Sequence, residues 1–396
     1  MHLRNRHIID QITKKKRAFP LVGILGARQV GKSTLLRELI GKKGAIPYFT
    51  LDRPEVLMQL RSRTEDFILT ETADFQSPII IDEAHKAPQI FDVLKVLADE
   101  KKRRGIVTIT GSVDFSQVAG VRETLTGRIG ICRLYPLTVA EVWQHEFRTR
   151  WLKGRPEKNP QSEVRSQHID AWLDRGGMPG ICWLRDAAER ESIIDEWLGS
   201  VCYRDLLQLK GARFDGALAR EILTLVARAP QTSAAELATR LGVDARIVSK
   251  HLNGLEALFV VTRIKPLSSA GGTGGDRFYL LDAAVAAFLG APRKVLYTVL
   301  MINEIVAQHE YAGLGRVELC YYASRGATKL DLAVKSKDSL HGFFIADRVE
   351  QSPGTMRSLG HLMKSGTYSK VSVLAPVTQS MKLGPNIVLE PYASYC

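Results

Sequence analysis

With 396 residues, 45% of them apolar and 24% charged, the chain has room for roughly two to four domains with their own cores and is neither disordered nor fibrous. No apolar run approaches the ~18 residues of a membrane span. The first residues lack the apolar core and cleavage site of a signal peptide. Cys132, Cys182, Cys202, Cys320 and Cys396 are scattered, odd in number and without a C-x-x-C pair, which argues against a disulfide framework or zinc knuckle and for a cytoplasmic protein without a membrane partner.

The net charge of +13 points to an anionic partner, nucleic acid first. The excess is dense at the start, where residues 1–60 hold 12 Lys/Arg against 4 Asp/Glu. The runs Lys14–Arg17 and Lys101–Arg104 each read, taken alone, as solvated helix ends.

The first clear element is a buried strand over 21–25. It enters Gly26-Ala27-Arg28-Gln29-Val30-Gly31-Lys32-Ser33, which has the G-x-x-x-x-G-K-S spacing of a P-loop. Backbone N–H groups of such a loop point at phosphate oxygens, and the helix that follows, here from Thr34 to Ile40, presents its positive end. Lys32 would reach the β and γ phosphates, and the Ser33 hydroxyl would ligate Mg²⁺. Pro78-Ile79-Ile80-Ile81-Asp82-Glu83 reads as a strand buried on both faces and ending in two carboxylates. Ligands of parallel sheets sit at the carboxyl ends of strands. Asp82 would therefore hold Mg²⁺, and Glu83 would act as general base on the attacking water.

A third strand over 106–110 ends at Gly111-Ser112, and Ser112 is placed to orient water near the γ-phosphate. A helix through Val121–Leu125 follows, then Thr126-Gly127-Arg128 and a fourth strand over 129–134. Arg128 at this helix end reads either as a dipole-favoured cation or as an arginine finger acting on a neighbouring subunit, which implies a homo-oligomer.

In order, GARQVGKS, PIIIDEAHKAP, TITGS, LTGR and LYPLTVAEV resemble a large prokaryotic AAA+-like ATPase family with a C-terminal domain of unknown function. The likeness runs through nearly the whole chain. It implies ATP as the nucleotide, with Mg²⁺, and a helical lid after the sheet. Within the lid, Gly176-Gly177-Met178-Pro179-Gly180 fits the Gly-x-Pro element by which related switch ATPases approach adenine, which makes Pro179 a nucleotide contact. Tyr203-Arg204-Asp205 matches a further family motif, with Arg204 as a γ-phosphate sensor.

Residues 144–160 are polar and basic and read as a surface loop. Residues 218–281 look like a winged helix. Ser233-Ala234-Ala235-Glu236 has capping-box form, and the helix behind it buries Leu237 and Leu241. After the turn Gly242-Val243-Asp244, a second helix buries Ile247, Val248, Leu252 and Leu255 and shows Arg246, Ser249, Lys250 and Asn253 on its other face. That is the polarity of a DNA recognition helix, although such modules also dock proteins. Strands over 259–264 and 277–281 would flank a wing containing Gly271–Gly275.

Further on, a helix over 295–309 carries Glu304, and strands are expected at 317–322, 330–334, 342–346 and 370–374. The resemblance makes this a PD-(D/E)XK nuclease-like domain. Asp331 matches its first acid, but the E-x-K positions fall on Phe344 and Ala346, which neither bind metal nor position water. Asp347 and Arg348 substitute only if the register slips. Asp331 would then be structural, pairing with Lys329 or Lys335.

The expected architecture is therefore α/β. It comprises an AAA+-like P-loop core with a helical lid (1–143 and 144–217), a winged helix-turn-helix (218–293) and an inactive α/β restriction-endonuclease-like domain (294–396). The leading expectation is an Mg-dependent ATPase that binds, remodels or translocates DNA. Its alternatives are a signalling or defence switch acting on a protein partner, an accessory that marks DNA without cutting it, and an ATP-controlled nuclease, which the missing E-x-K disfavours.

Overall fold

The computed structural model describes residues 4–40, 45–115, 125–147, 152, 164–209, 213–267, 274–323, 329–335, 339–349, 353–364 and 367–396. The helix expected near 121–125, most of the basic loop 144–160 and most of the glycine-rich wing lie outside them.

Five strands, β1 (Leu21–Leu25), β2 (Tyr48–Thr50), β3 (Ile79–Asp82), β4 (Val107–Gly111) and β5 (Ile129–Arg133), form a wholly parallel sheet in the order β2-β3-β4-β1-β5. The apolar runs noted in the sequence are buried along their whole length in β1, β3 and β4. Such double burial requires cover on both faces. Helix α1 (Ile9–Ala18) packs on β1 and β5. After the P-loop come a short helix α2 (Lys32–Thr34) and a π-helical turn over Leu35–Ile40, where a regular amphipathic α-helix was expected; Leu35 and Leu36 are both buried. Helices α3 (Pro54–Ser62), α4 (Thr64–Glu71) and α5 (Ile90–Lys101) carry Leu60, Ile68, Phe91 and Leu94 into a separate core cluster with Ile79, Ile81 and Ile109.

The chain leaves β5 through α6 (Val139–Trp143), closed by a Thr138–Glu141 capping box. Helices α7 (Ser166–Arg175) and α8 (Ala187–Ser200) bury Trp172 and Trp197. Then follow α9 (Gly216–Arg228), α10 (Ala234–Leu241) and α11 (Ala245–Ala257), with β6 (Val261–Pro266) and β7 (Arg277–Leu280) as an antiparallel hairpin. Two details differ from expectation. Ile247 is 39% exposed, and His251 one turn on is buried in its place, accepting Asp215 N–H at Nε2 (2.9 Å) and bonding the Ile247 carbonyl at Nδ1 (2.8 Å). The first strand begins at Val261, because Phe259 turns the chain with φ 60°.

Helices α12 (Ala283–Phe288) and α13 (Arg293–Tyr311) lead to β8 (Glu318–Ala323), β9 (Lys329–Lys335), β10 (Leu340–Ile345), α14 (Pro353–Lys364), β11 (Lys370–Ala375), β12 (Met381–Gly384) and β13 (Ile387–Pro391). Helix α14 and strands β12 and β13 are additions to the elements expected from sequence. The hairpin β6–β7 does not stand apart. Strand β6 pairs with β8 in parallel through Lys265↔Cys320 and Pro266↔Tyr321, so that one eight-stranded sheet runs β12-β13-β11-β10-β9-β8-β6-β7. Strands on either side of the expected 293/294 boundary, which falls at the start of α13, thus share one sheet. One hydrophobic cluster is likewise continuous from Ile24 through Trp172 and Leu252 to Tyr297 and Phe343.

Candidate functional site

The site stands at the carboxyl ends of β1, β3 and β4. Gly31 holds φ 96°, a left-handed turn that glycine adopts without strain, and a Cβ on Gly26 would meet the Leu134 carbonyl oxygen at 2.3 Å. The loop glycines are therefore required by backbone shape. Lys32 is 4% exposed, and its Nζ donates to the carbonyls of Gly26 and Ala27, both at 2.8 Å. Burial lowers its pKa, and Glu83 and Asp82 counter that effect.

Ser33 Oγ donates to Asp82 Oδ2 at 2.7 Å. Thr110 Oγ1 donates to Oδ1 of the same carboxylate and Tyr48 OH to Oδ2, so three hydroxyls hold Asp82 in one orientation. Burial and the bond to Asp82 push the Tyr48 phenol well above its usual pKa. Glu83 follows at φ 59°, a left-handed conformation that turns its side chain out of the strand direction, and its N–H donates to Thr110 Oγ1 at 2.9 Å. Ser112 Oγ donates to Glu83 Oε2 at 3.2 Å, and His85 Nδ1 lies 3.2 Å from the same oxygen. Burial lowers the His85 pKa, and the neighbouring Glu83 carboxylate counters that effect.

The helices after β5 close over this loop. Asp205 accepts from Arg28 at 3.3 Å and from its neighbour Arg204 at 3.0 Å, and Trp197 Nε1 donates to the Arg28 carbonyl at 3.2 Å. A side chain built on Gly31 would touch the Pro179 ring at 3.5 Å and the Arg6 guanidinium at 3.6 Å. The fold therefore gathers the loop 26–34, Asp82, Glu83, Ser112, Pro179 and Arg204. It adds Tyr48, His85, Thr110 and Arg6. Of these, His85 and Thr110 had a signal, since they flank the strand-end motifs; Tyr48 and Arg6 had none. Arg6 donates to the Val30 carbonyl (2.9 Å), the Tyr135 carbonyl (2.7 Å), Glu141 (3.1 Å) and Tyr311 (3.3 Å).

Other expected residues stand elsewhere. Arg128 immediately precedes Ile129, which pairs with the first residue of β1, so it lies at the opposite end of the sheet from its own P-loop. There it grips Asp99 with two bonds of 2.6 and 2.7 Å. On α11, the Arg246 side chain is 94% exposed, whereas Lys250 bonds the Arg213 carbonyl and Asn253 accepts from Arg263. The basic runs close α1 and α5. Lys15 donates to the Ile131 carbonyl (2.7 Å) and Lys101 pairs with Asp74 (2.8 Å).

Asp331 is 9% exposed; it accepts the Ile345 N–H (2.8 Å) and pairs with Lys294 of α13 at 3.1 Å. The expected partners Lys329 and Lys335 are displaced because α13 packs across this sheet and delivers Lys294. Asp347 falls in the bend beyond β10. No three His, Cys, Asp or Glu side chains converge on a metal position among the described residues. The Ser33–Asp82 pair suits a small divalent cation that keeps water and phosphate in its shell, so Mg²⁺ fits there. No helix of the described residues is long and apolar enough to cross a membrane.

Residues 18–143 match the AAA domain family, which supports nucleotide binding by the P-loop. Residues 166–294 match a second family, a domain of unknown function. Along 99% of its length the chain is 24% identical to an uncharacterized protein of Mycobacterium tuberculosis and to its counterpart in Mycobacterium bovis, covering 84% of each. Can2 from Sulfobacillus thermosulfidooxidans, solved with cyclic tetra-adenylate, aligns over 91% of both chains at 11% identity with a TM-score of 0.18, too low to indicate a shared fold.

Proposed function

We propose that the protein is an Mg-dependent ATPase switch that drives a winged helix-turn-helix and an inactive nuclease-like unit against nucleic acid. One observation carries the enzymatic reading: Ser33, Asp82, Thr110, Glu83 and Ser112 form a connected chain of hydrogen-bonding groups beside a P-loop. Lys32 would exchange the carbonyls of Gly26 and Ala27 for phosphate oxygens. Ser33 and Asp82 would hold Mg²⁺, which neutralises charge on the phosphates. Glu83 would accept a proton from the attacking water, with Ser112 orienting that carboxylate. Arg204, tethered to Arg28 through Asp205, would report the γ-phosphate to the lid. Arg6 would pass strain in the P-loop to α6 and α13.

Nucleic acid is the favoured object because of the +13 charge and the exposed Arg246. A second reading, a switch acting on a protein partner, draws support from Lys250 and Asn253, whose polar groups are bonded within the chain.

Steady-state ATP turnover, with and without duplex DNA across a salt series, tests both. Glu83→Gln should bind ATP and turn over roughly 100–10,000-fold more slowly; Lys32→Ala should lose binding. DNA affinity should fall with salt at a log–log slope of about −0.9 per phosphate contact. Wild-type turnover in Glu83→Gln would remove the assigned base. Absence of DNA binding at low salt would select the protein-partner reading.

A further inference from the structure

A cavity of about 370 Å³ lies where five parts of the chain meet. The P-loop contributes Ala27 and Val30, the segment after β5 contributes Leu134 and Tyr135, and α11 with its following turn contributes Asn253 and Phe259. Helix α13 contributes Ile302, Asn303 and Val306, and the approach to β8 contributes Arg316 and Val317. Lys32, Ser33, Asp82 and Glu83 do not line it, so it is separate from the phosphate side of the loop. Its volume is that of a small-molecule pocket.

Its chemistry is selective. Three guanidiniums, Arg133, Arg263 and Arg316, line it with two carboxylates, Asp114 and Glu256. Arg263 is held by Glu256 (2.7 Å) and Asp276 (2.9 Å), and Arg133 lies 3.6 Å from Asp114. Arg316 makes no ion pair among the described residues, which leaves its guanidinium open to a ligand. Asn303 is 3% exposed, and its Nδ2 has no hydrogen-bond partner. Native proteins rarely leave a buried amide donor unsatisfied, and such a group calls for an acceptor. Ile302, Val306, Val317 and Leu319 provide an apolar wall.

We infer that this cavity binds one small organic carboxylate, with its acid group at Arg316 and Asn303 Nδ2 and its apolar body against α13 and β8. One guanidinium without an ion pair favours a monoanion over a phosphate dianion. Because Ala27 and Val30 belong to the P-loop, occupancy of the cavity and of the nucleotide site are linked in both directions. This linkage rests on the ATPase reading; the binding of the acid does not.

Calorimetric titration of the full chain with benzoate, 1-naphthoate and 4-phenylbenzoate tests the assignment. At least one acid should saturate a single site per chain, and its uncharged alcohol analogue should bind at least about tenfold more weakly. Arg316→Ala, an exposed change that spares the core, should weaken the acid at least about tenfold, as should Asn303→Leu, whereas Arg240→Ala on exposed α10 should not. Saturating MgATP should shift the affinity without displacing the acid. No saturable binding by any of the three acids, equal affinity in Arg316→Ala, or simple competition with ATP would each overturn the inference.

Discussion

Replacing Arg6 with Met keeps most of the aliphatic volume and removes one half of a buried ion pair. The Arg6 and Glu141 side chains are 5% and 0% exposed and 3.1 Å apart. Burial alone would lower the Arg6 pKa, but Glu141 and Tyr311 hold it above its ordinary value. Stranding one partner of such a pair costs about 3–5 kcal/mol. Glu141 still accepts the N–H groups of His7 (2.8 Å) and Thr138 (3.1 Å), which favours the lower end. The carbonyls of Val30 and Tyr135 lose their donor at about 0.5–1.5 kcal/mol each. The sum is about 4–6 kcal/mol. With an unfolding entropy near 2.1 cal/mol/K per residue, a chain of 396 residues melting as one unit should lose about 5–7 °C in Tm. Thermal melts followed by circular dichroism read this directly. Adding Glu141→Gln to Arg6→Met should recover at least about 2 kcal/mol, because the pair is coupled. ATP affinity should fall in Arg6→Met, since the guanidinium bonds the P-loop carbonyl of Val30. A shift below about 1 °C, or strict additivity of the two changes, would refute the view that this pair locks the N-terminal segment beneath the P-loop.

Burial pushes Glu304 up to about 8 and Asp282 up to about 6, against hydrogen bonds from Val139, Gly177 and their neighbours. Both acids hold a proton in the folded chain after the unfolded chain has lost it. Stability should therefore fall as pH rises from about 4.5, through 6 for Asp282 and 8 for Glu304. Urea midpoints should be lower at pH 8.5 than at 5.5 in wild type and less pH-dependent in Glu304→Gln; equal slopes would refute the assignment. Arg128→Ala should leave ATP affinity near normal and slow turnover, and mixing it with Glu83→Gln should restore activity through intact interfaces. Normal turnover of Arg128→Ala at every protein concentration would remove the finger role. Asp331→Ala should destabilise by about 1–3 kcal/mol in urea melts, because the Ile345 N–H and Lys294 lose their partner, and should change no DNA activity. Mg²⁺- or Mn²⁺-dependent nicking that vanishes in this variant would show a working nuclease site.

The nucleotide site was legible because its chemistry is written in short runs. A phosphate cradle needs consecutive backbone N–H groups, which only a glycine-framed loop presents, and a strand-end carboxylate needs only an apolar run before it. Gly26–Ser33, Asp82, Glu83 and Ser112 could therefore be placed by spacing, and the strands β8–β11 by their apolar runs, which are buried almost end to end in β9 and β11. The face of α11 was less legible. Ile247 and His251 are one turn apart, and only the packing of Phe214 and Asp215 against that turn decides which is buried.

Tertiary structure alone decided the connections between units. Arg6 meets Glu141 across 135 residues, Asp282 takes the Gly177 N–H across 105, and Glu304 takes the Val139 N–H across 165. The partnership of Asp331 with Lys294, the junction of β6 with β8 and the cavity at Asn303 are of the same kind. Nothing in the local periodicity marks them, because a buried charge or a sheet edge selects its partner by proximity in the packed chain, after the helices and strands that carry it have formed.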